Sequence, residues 1–232
     1  MEQSVREPAE GSAMHELAHD PSSRKRFLKM VGGAGAAGAF SIFLAACGSD
    51  DESDTTGAST SESEDSGAAA SKGDLAIVNY ALTLEYLETA FYQDVLKSGQ
   101  VKDPKIGAAA KSILANEQEH VAALKATAEK LGGPAAKKPK TDFTSVIDAG
   151  PDKILETAAT VENLGSAAYL GQADKIKSKE VLAAALSIHT VEGRHAALLN
   201  FVTGKSITPD GPFAKPASMD EVLKQVKPFL AS

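Results

Sequence analysis

The chain has 232 residues and a formal net charge of −7, and its single cysteine is Cys47. One cysteine excludes both an internal disulfide and a zinc site built on cysteines. Seven acidic residues and no basic residue fall within residues 48–71, so the acidity belongs to one segment and no nucleic-acid-binding surface is indicated.

Residues 1–46 have the pattern of an export signal. A basic run at residues 23–29 precedes a weakly apolar stretch at residues 30–46, which is short for a permanent membrane span. The basic run resembles the twin-arginine export motif, with Lys25 where that motif has its second arginine. The resemblance implies export of a folded protein, and Lys25 leaves the choice of route open.

Residues 44–47 read Leu-Ala-Ala-Cys and resemble the bacterial lipoprotein box. The resemblance implies that Cys47 is lipidated and becomes the mature N-terminus; the alternative is a plain signal or anchor with an incidental cysteine. Residues 47–73 are rich in Ser, Gly and acids, and they predict a disordered tether because they cannot bury enough apolar surface to fold. Together these features predict an exported protein, anchored to the membrane lipid and facing outside the cytoplasm.

Residues 74–203 have the apolar periodicity of an all-α four-helix bundle. The predicted helices cover residues 74–98, about 104–131, about 151–173 and about 178–202. The connection at residues 132–150 is too long for a tight turn and predicts a crossover between the second and third helices. Residues 204–232 predict an irregular loop followed by a short closing helix at about 219–230, interrupted near Pro228.

Two Glu-x-x-His pairs are the main functional signal. Glu117 and His120 lie on the second predicted helix, and Glu192 and His195 lie on the fourth. Residues three apart share one face of a helix, so each pair directs a carboxylate and an imidazole the same way. The alternative is a pair of exposed Glu–His contacts, but inward-facing apolar residues flank both pairs.

The other two helices each supply one glutamate, which makes the plan two-fold. Glu85 on the first helix is followed seven residues later by Tyr92, and Glu162 on the third is followed seven residues later by Tyr169. Each of these helices precedes a Glu-x-x-His helix. The chain therefore contains one helix-pair plan twice, and the two ligand sets are expected to face each other across one core.

Charge predicts what this core holds. Four ionised glutamates would repel one another and lose their hydration, which costs on the order of several kcal/mol each. Two divalent cations cancel four carboxylates and leave both histidines neutral. Carboxylate and imidazole ligands suit iron or manganese, with zinc and other metals left open. Glu117 and Glu192 are expected to bridge the ions. Each ion is expected to have one further glutamate, Glu85 or Glu162, and one histidine, His120 or His195.

Four further residues are expected beside the ligand set. Tyr92 and Tyr169 are core residues expected to hydrogen-bond to a carboxylate across the core. Glu88 is interpreted as a further ligand, as an acceptor beside the ligands, or as a side chain that reaches solvent. His189 lies at the edge of the ligand face, where a hydrogen-bonded helix histidine is favoured over a ligand.

The domain resembles the ferritin-like superfamily. The resemblance covers residues 74–203 and rests on Leu84-Glu85 followed by Tyr92, and on Ala-Asn-Glu-Gln-Glu-His at residues 115–120. The chain is most similar to exported bacterial ferritin-like proteins related to desiccation-associated proteins. It lacks the cysteine module of rubrerythrins and a bundle methionine suited to a bacterioferritin haem.

Three functions follow from the resemblance. The first is a redox enzyme whose two metal ions, iron or manganese, react with peroxide or dioxygen in oxidative or desiccation stress. The second is iron oxidation or storage, for which a lipid tether on every chain makes a closed cage awkward. The third is a non-catalytic envelope stress protein with a structural metal site. Assembly into homo-oligomers is left open.

Overall fold

The computed structural model describes residues 63–231, with side chains from residue 71 onward. The predicted export signal, the lipidation site Cys47 and the first part of the predicted tether lie outside the described residues. Within them the fold is all-α, as the sequence predicts: six α-helices, two short 3-10 turns and no strand. None of these helices is long and apolar enough to cross a membrane.

The helices are α1, Ser63–Ser98; α2, Pro104–Lys130; α3, Thr144–Asp148; α4, Pro151–Leu170; α5, Lys179–Val202; and α6, Met219–Val226. The 3-10 turns are Ala173–Lys175 and Lys227–Phe229. Helices α1, α2, α4 and α5 form the bundle, in which α1 packs mainly against α2 and α4 mainly against α5.

The N-terminal helix is longer than predicted. Helix α1 begins at Ser63, eleven residues before the predicted start at Asp74, so residues 63–73 are helical rather than a disordered tether. The alanine run at residues 68–70 has the highest intrinsic helix propensity. The hydroxyl of Ser71 also donates to the carbonyl O of Leu131 at 3.1 Å, which attaches this end of α1 to α2.

Carboxylates accept backbone hydrogen bonds at the starts of α2 and α5. The carboxylate of Asp103 accepts hydrogen bonds from two backbone N–H groups at the start of α2. At the start of α5, the backbone N–H groups of Lys177 and Ser178 donate to the buried Asp74 at 2.8 and 2.7 Å. This buried carboxylate therefore links α1 to the beginning of α5.

The structure adds detail to the predicted crossover and to two predicted helix ends. The crossover contains the short helix α3, which buries Val146. The third bundle helix ends at Leu170, three residues early, and is followed by a 3-10 turn. The closing helix α6 ends at Val226 and a 3-10 turn follows at Lys227–Phe229, which confirms the interruption expected near Pro228. An isolated bridge between Thr141 and Leu230 joins the chain end to the crossover.

Apolar residues form two clusters, one on each side of the bundle's polar centre. One cluster contains Phe91, Ile113 and Ile154, and the other contains Leu82, Leu124 and Ile188. Along α2 and α5, the glutamate and histidine positions fall between the members of these two clusters. The packing therefore encloses the centre from both ends of the bundle.

Candidate metal centre

The structure brings the six predicted ligand residues into one buried cluster. All four glutamates are fully buried, and the two histidines are 9% and 6% exposed. Each bundle helix contributes to the cluster, whose members are Glu85, Glu117, His120, Glu162, Glu192 and His195. Helical spacing places each Glu-x-x-His pair on one inward face, and the two-fold plan brings the faces together.

The cluster divides into two groups that share two glutamates. In each group, one ligand atom from every residue lies within 4.8 Å of the others. The His120 half consists of Glu85, Glu117, His120 and Glu192. The His195 half consists of Glu117, Glu162, Glu192 and His195. Because Glu117 and Glu192 occur in both halves, they occupy the positions that bridging ligands require.

Both histidine rings present Nδ1 to the carboxylates. In the His120 half, Nδ1 lies 3.0 Å from Glu117 Oε2 and 3.2 Å from Glu85 Oε2. In the His195 half, Nδ1 lies 3.1 Å from Glu162 Oε2 and 3.1 Å from Glu117 Oε1. The Nδ1 atoms therefore face the centre of the cluster, and the Nε2 atoms face away from it.

Two tyrosines hold the terminal glutamates across the core. The hydroxyl of Tyr92 on α1 donates to Glu162 Oε1 at 2.6 Å, and that of Tyr169 on α4 donates to Glu85 Oε1 at 2.6 Å. Burial raises the pKa values of both tyrosines well above their usual range, so their hydroxyls stay protonated. These are the cross-core contacts expected from the sequence, and each fixes a carboxylate of the opposite helix pair.

Glu88 is a fifth carboxyl group in the centre. It is 1% exposed, so the interpretation in which it reaches solvent is wrong. Its position depends on Gly165, because a Cβ added there would lie 2.8 Å from Glu88 Oε1 and 3.0 Å from Glu192 Oε2. The two-fold plan matches Glu88 with Gly165, so the missing side chain on α4 leaves the space that Glu88 occupies.

His189 and Asn116 complete the surroundings. His189 Nδ1 lies 3.0 Å from the carbonyl O of Ser166, so this ring hydrogen-bonds to α4 rather than to a carboxylate of the cluster. Asn116, which the sequence did not single out, places its amide nitrogen 3.0 Å from His195 Nε2. Its position next to Glu117 was the available signal, but the contact joins residues 79 apart in the chain.

Burial disfavours charge on most of these carboxylates. It raises the pKa of Glu85 to about 8, against opposing contributions from His120. Burial and the neighbouring carboxylates also raise the pKa values of Glu88 and Glu192 well above the usual range. Without a metal ion, the cluster therefore retains protons on carboxyl groups that would be ionised in water at neutral pH.

At Glu117 and His195, hydrogen bonds outweigh the effect of burial on the pKa. Burial by itself would raise the pKa of Glu117, but hydrogen bonds with His120 and His195 outweigh it and lower the pKa to about 2. Burial would lower the pKa of His195, yet its bonds to Glu117 and Glu162 raise it to about 10. The metal-free cluster thus uses protonated imidazoles as its cations.

The donor set fits a pair of divalent metal ions. Among the described residues, three buried oxygens of the cluster's carboxylates make no well-aligned hydrogen bond: Glu117 Oε1, Glu192 Oε1 and Glu192 Oε2. Two of them lie near an imidazole, with His195 Nδ1 3.1 Å from Glu117 Oε1 and His120 Nδ1 3.2 Å from Glu192 Oε1. A buried acceptor without a partner costs about 1–3 kcal/mol, and more if it is charged. All three oxygens belong to the two shared glutamates, and they would coordinate cations bound at the two four-residue groups.

One apolar cavity lies beside the centre. It has a volume of about 120 Å³ and is lined by the exposed Leu198 and Val202 as well as by the buried Tyr92. Because Tyr92 hydrogen-bonds to Glu162, one residue of the cavity lining contacts the cluster directly.

Comparison with protein families identifies the fold family of the bundle. The family model described as the ferritin-like domain matches residues 73–205, which is more than half of the chain. No curated protein matches the chain significantly.

Proposed function

Because the chain belongs to the ferritin-like domain family, we propose that its bundle binds two iron or manganese ions and uses them on peroxide or dioxygen. The observation that carries this proposal is the pair of buried four-residue groups that share Glu117 and Glu192. Carboxylate and imidazole donors in this combination suit both metals. Bound ions would supply electron transfer to and from the oxidant, together with open positions at which it can bind.

The chain's own residues would hold and enclose the pair. Glu117 and Glu192 would be shared between the ions, while Glu85 and Glu162 would each bind one ion. Tyr169 and Tyr92 would keep these terminal carboxylates in place through their 2.6 Å hydrogen bonds. The two apolar clusters would exclude bulk water from both ends of the centre.

Glu88 would act as a proton-holding group beside the pair. Two divalent ions cancel four carboxylates, so a fifth ionised carboxylate would leave an uncompensated buried charge. In the metal-free centre, burial and Glu192 raise the pKa of Glu88 well above its usual range, so its carboxyl carries a proton before metal binds. This residue can therefore give up or accept a proton when the charge of the centre changes.

The test measures peroxide consumption and oxygen release by the full chain loaded with Fe²⁺, Mn²⁺ or Zn²⁺. The zinc form is the matched control, since zinc occupies such ligands but has no redox chemistry. We expect the iron or manganese form to consume peroxide at least about tenfold faster than the zinc form. Equal rates would support a structural metal site, and oxidation of many iron ions per chain within a large assembly would support storage.

We also propose that the protein acts outside the cytoplasm, tethered to the membrane by a lipid on Cys47, in oxidative or desiccation stress. The support is the sequence of residues 1–47, which combines a basic run, an apolar stretch and a terminal cysteine. Replacing Cys47 with serine is expected to move the protein from the membrane fraction to the soluble fraction. A Cys47→Ser protein that stays in the membrane fraction would contradict lipid tethering.

A further inference from the structure

The two halves of the centre are matched at the ligands and at the tyrosines. They differ where Glu88 corresponds to Gly165, and they differ again at one position close to the histidines. The matched pairs are Glu85 and Glu162, Tyr92 and Tyr169, Glu117 and Glu192, and His120 and His195. One residue before each shared glutamate, however, the chain has Asn116 on α2 and Val191 on α5. An amide and a branched apolar group therefore occupy equivalent positions.

This difference gives His195 a partner on its outer nitrogen, Nε2. The side-chain amide of Asn116 lies 3.0 Å from His195 Nε2, across the contact between α2 and α5. Both hydrogen bonds of the His120 ring involve its Nδ1 atom. Among the residues that the structure describes, none hydrogen-bonds to His120 Nε2. Val191, which corresponds to Asn116, has no side-chain polar atom that could replace it.

The partner matters when Nδ1 binds a cation. A neutral imidazole that binds metal through Nδ1 carries its proton on Nε2, and that N–H then needs an acceptor. Asn116 supplies this acceptor, because a flip of its side-chain amide exchanges Oδ1 and Nδ2 and so places Oδ1 beside Nε2. The hydrogen bond fixes the ring of His195 and makes Nδ1 a better donor, whereas the ring of His120 depends on packing and on the carboxylates alone.

We propose that Asn116 is a positioning residue that makes the centre unequal, so that the His195 half binds its ion first and more tightly than the His120 half. The proposal rests on the proposed two-metal function and deepens it. The ion of the His120 half is then the one that exchanges more readily. Loss of an outer hydrogen-bond partner of a metal-binding histidine typically weakens metal affinity by about 10–100-fold, which sets the expected difference.

Calorimetric titration of the metal-free full chain with Mn²⁺ tests this order. We expect two binding events, of which Glu162→Gln removes the tighter and Glu85→Gln the weaker. Asn116→Val should weaken the tighter event about 10–100-fold and change the weaker one by less than about threefold. Asn116→Asp keeps an acceptor beside Nε2 and should preserve the tighter event.

A second measurement separates positioning from packing. In the Zn²⁺-loaded chain with ¹⁵N-labelled histidine, the Nε2 proton of His195 should exchange with water more slowly than that of His120, and Asn116→Val should abolish the difference. Two indistinguishable binding events, equal weakening of both events by Asn116→Val, or no effect of that variant would each overturn the proposal. A wild-type chain that binds no metal would instead overturn the proposed function.

Discussion

Replacing Glu117 with alanine is expected to lower the metal content of the loaded protein from about two ions per chain to fewer than one. Glu117 belongs to both four-residue groups, so its removal takes a ligand from both ions. It also removes Oε1, one of the three buried oxygens that make no well-aligned hydrogen bond. Removal of a ligand that serves one ion, such as Glu85, should reduce the content by only one.

Elemental analysis after metal loading and dialysis measures this loss. Glu119→Ala is the matched control, because Glu119 is an exposed glutamate two residues away on the same helix. The control should retain the metal content of the wild type. Circular dichroism should show the same helicity in both variants, so that loss of metal is not confused with loss of fold. A Glu117→Ala chain that keeps two ions would show that the cluster is not the metal-binding site.

Helical periodicity explains why the sequence identified the cluster. A spacing of three residues fixes the relative direction of Glu117 and His120 whatever surrounds them, and the same holds for Glu192 and His195. Repetition of the helix pair then places the two sets opposite each other. The same reasoning predicted the all-α fold, which the structure confirms, because local spacing alone shows the apolar face of each helix.

Contacts between distant segments limited the prediction elsewhere. The position of Glu88 depends on the space beside Gly165, which lies on another helix 77 positions later in the sequence. Asn116 likewise acquires its role from His195, and its own helix shows only a partly buried polar residue. Neither relation has a local period, so the pattern left three interpretations for Glu88 and none for Asn116.

The start of α1 was missed for a related reason. The composition of residues 63–73 resembles that of a disordered linker, although it contains three consecutive alanines. Helix formation propagates readily from an established helix, since each added residue gains one hydrogen bond without a new nucleus. The stable helix after Asp74 therefore allows a segment that is weak alone to continue the helix toward the N-terminus.

The metal-free protein is expected to lose stability as pH rises from 5 to 8, whereas loaded protein should gain stability relative to it. Burial raises the pKa of Glu85 from 4.5 to about 8, so the folded state binds a proton that the unfolded state releases. A raised folded-state pKa contributes stability that is present below the unfolded value and is lost as pH rises through the folded value. For Glu85 the loss therefore extends from about pH 4.5 to about pH 8.

Other groups of the cluster act in the same direction within this window. The pKa values of Glu88 and Glu192 are also raised by burial, and the raised pKa of His195, about 10, adds a loss that continues above pH 8. Glu117 has the opposite sign, but its lowered pKa of about 2 confines its effect to more acidic solution. The free energy of unfolding of the metal-free chain should consequently fall across the whole range from pH 5 to 8.

Metal reverses this trend because cations compete with protons for the same oxygens. The affinity of the centre for metal rises as its carboxyl groups lose protons, so the stabilisation by bound metal increases with pH. Thermal unfolding of metal-free and Mn²⁺-loaded protein should thus give Tm values that diverge from pH 5 to 8. Each carboxyl that stays protonated in the folded state alone should lower the metal-free Tm by about 3–6 °C per pH unit.

The variant Glu85→Gln tests the electrostatic cause directly. Glutamine has the shape of a protonated glutamate and stays neutral at every pH, so the metal-free variant should have a shallower pH dependence and a higher Tm than wild type at pH 8. Glu119→Gln, at the exposed position, should follow the wild type. A metal-free wild-type chain that becomes more stable from pH 5 to 8 would contradict the argument, because it would mean that the buried carboxyl groups ionise without penalty.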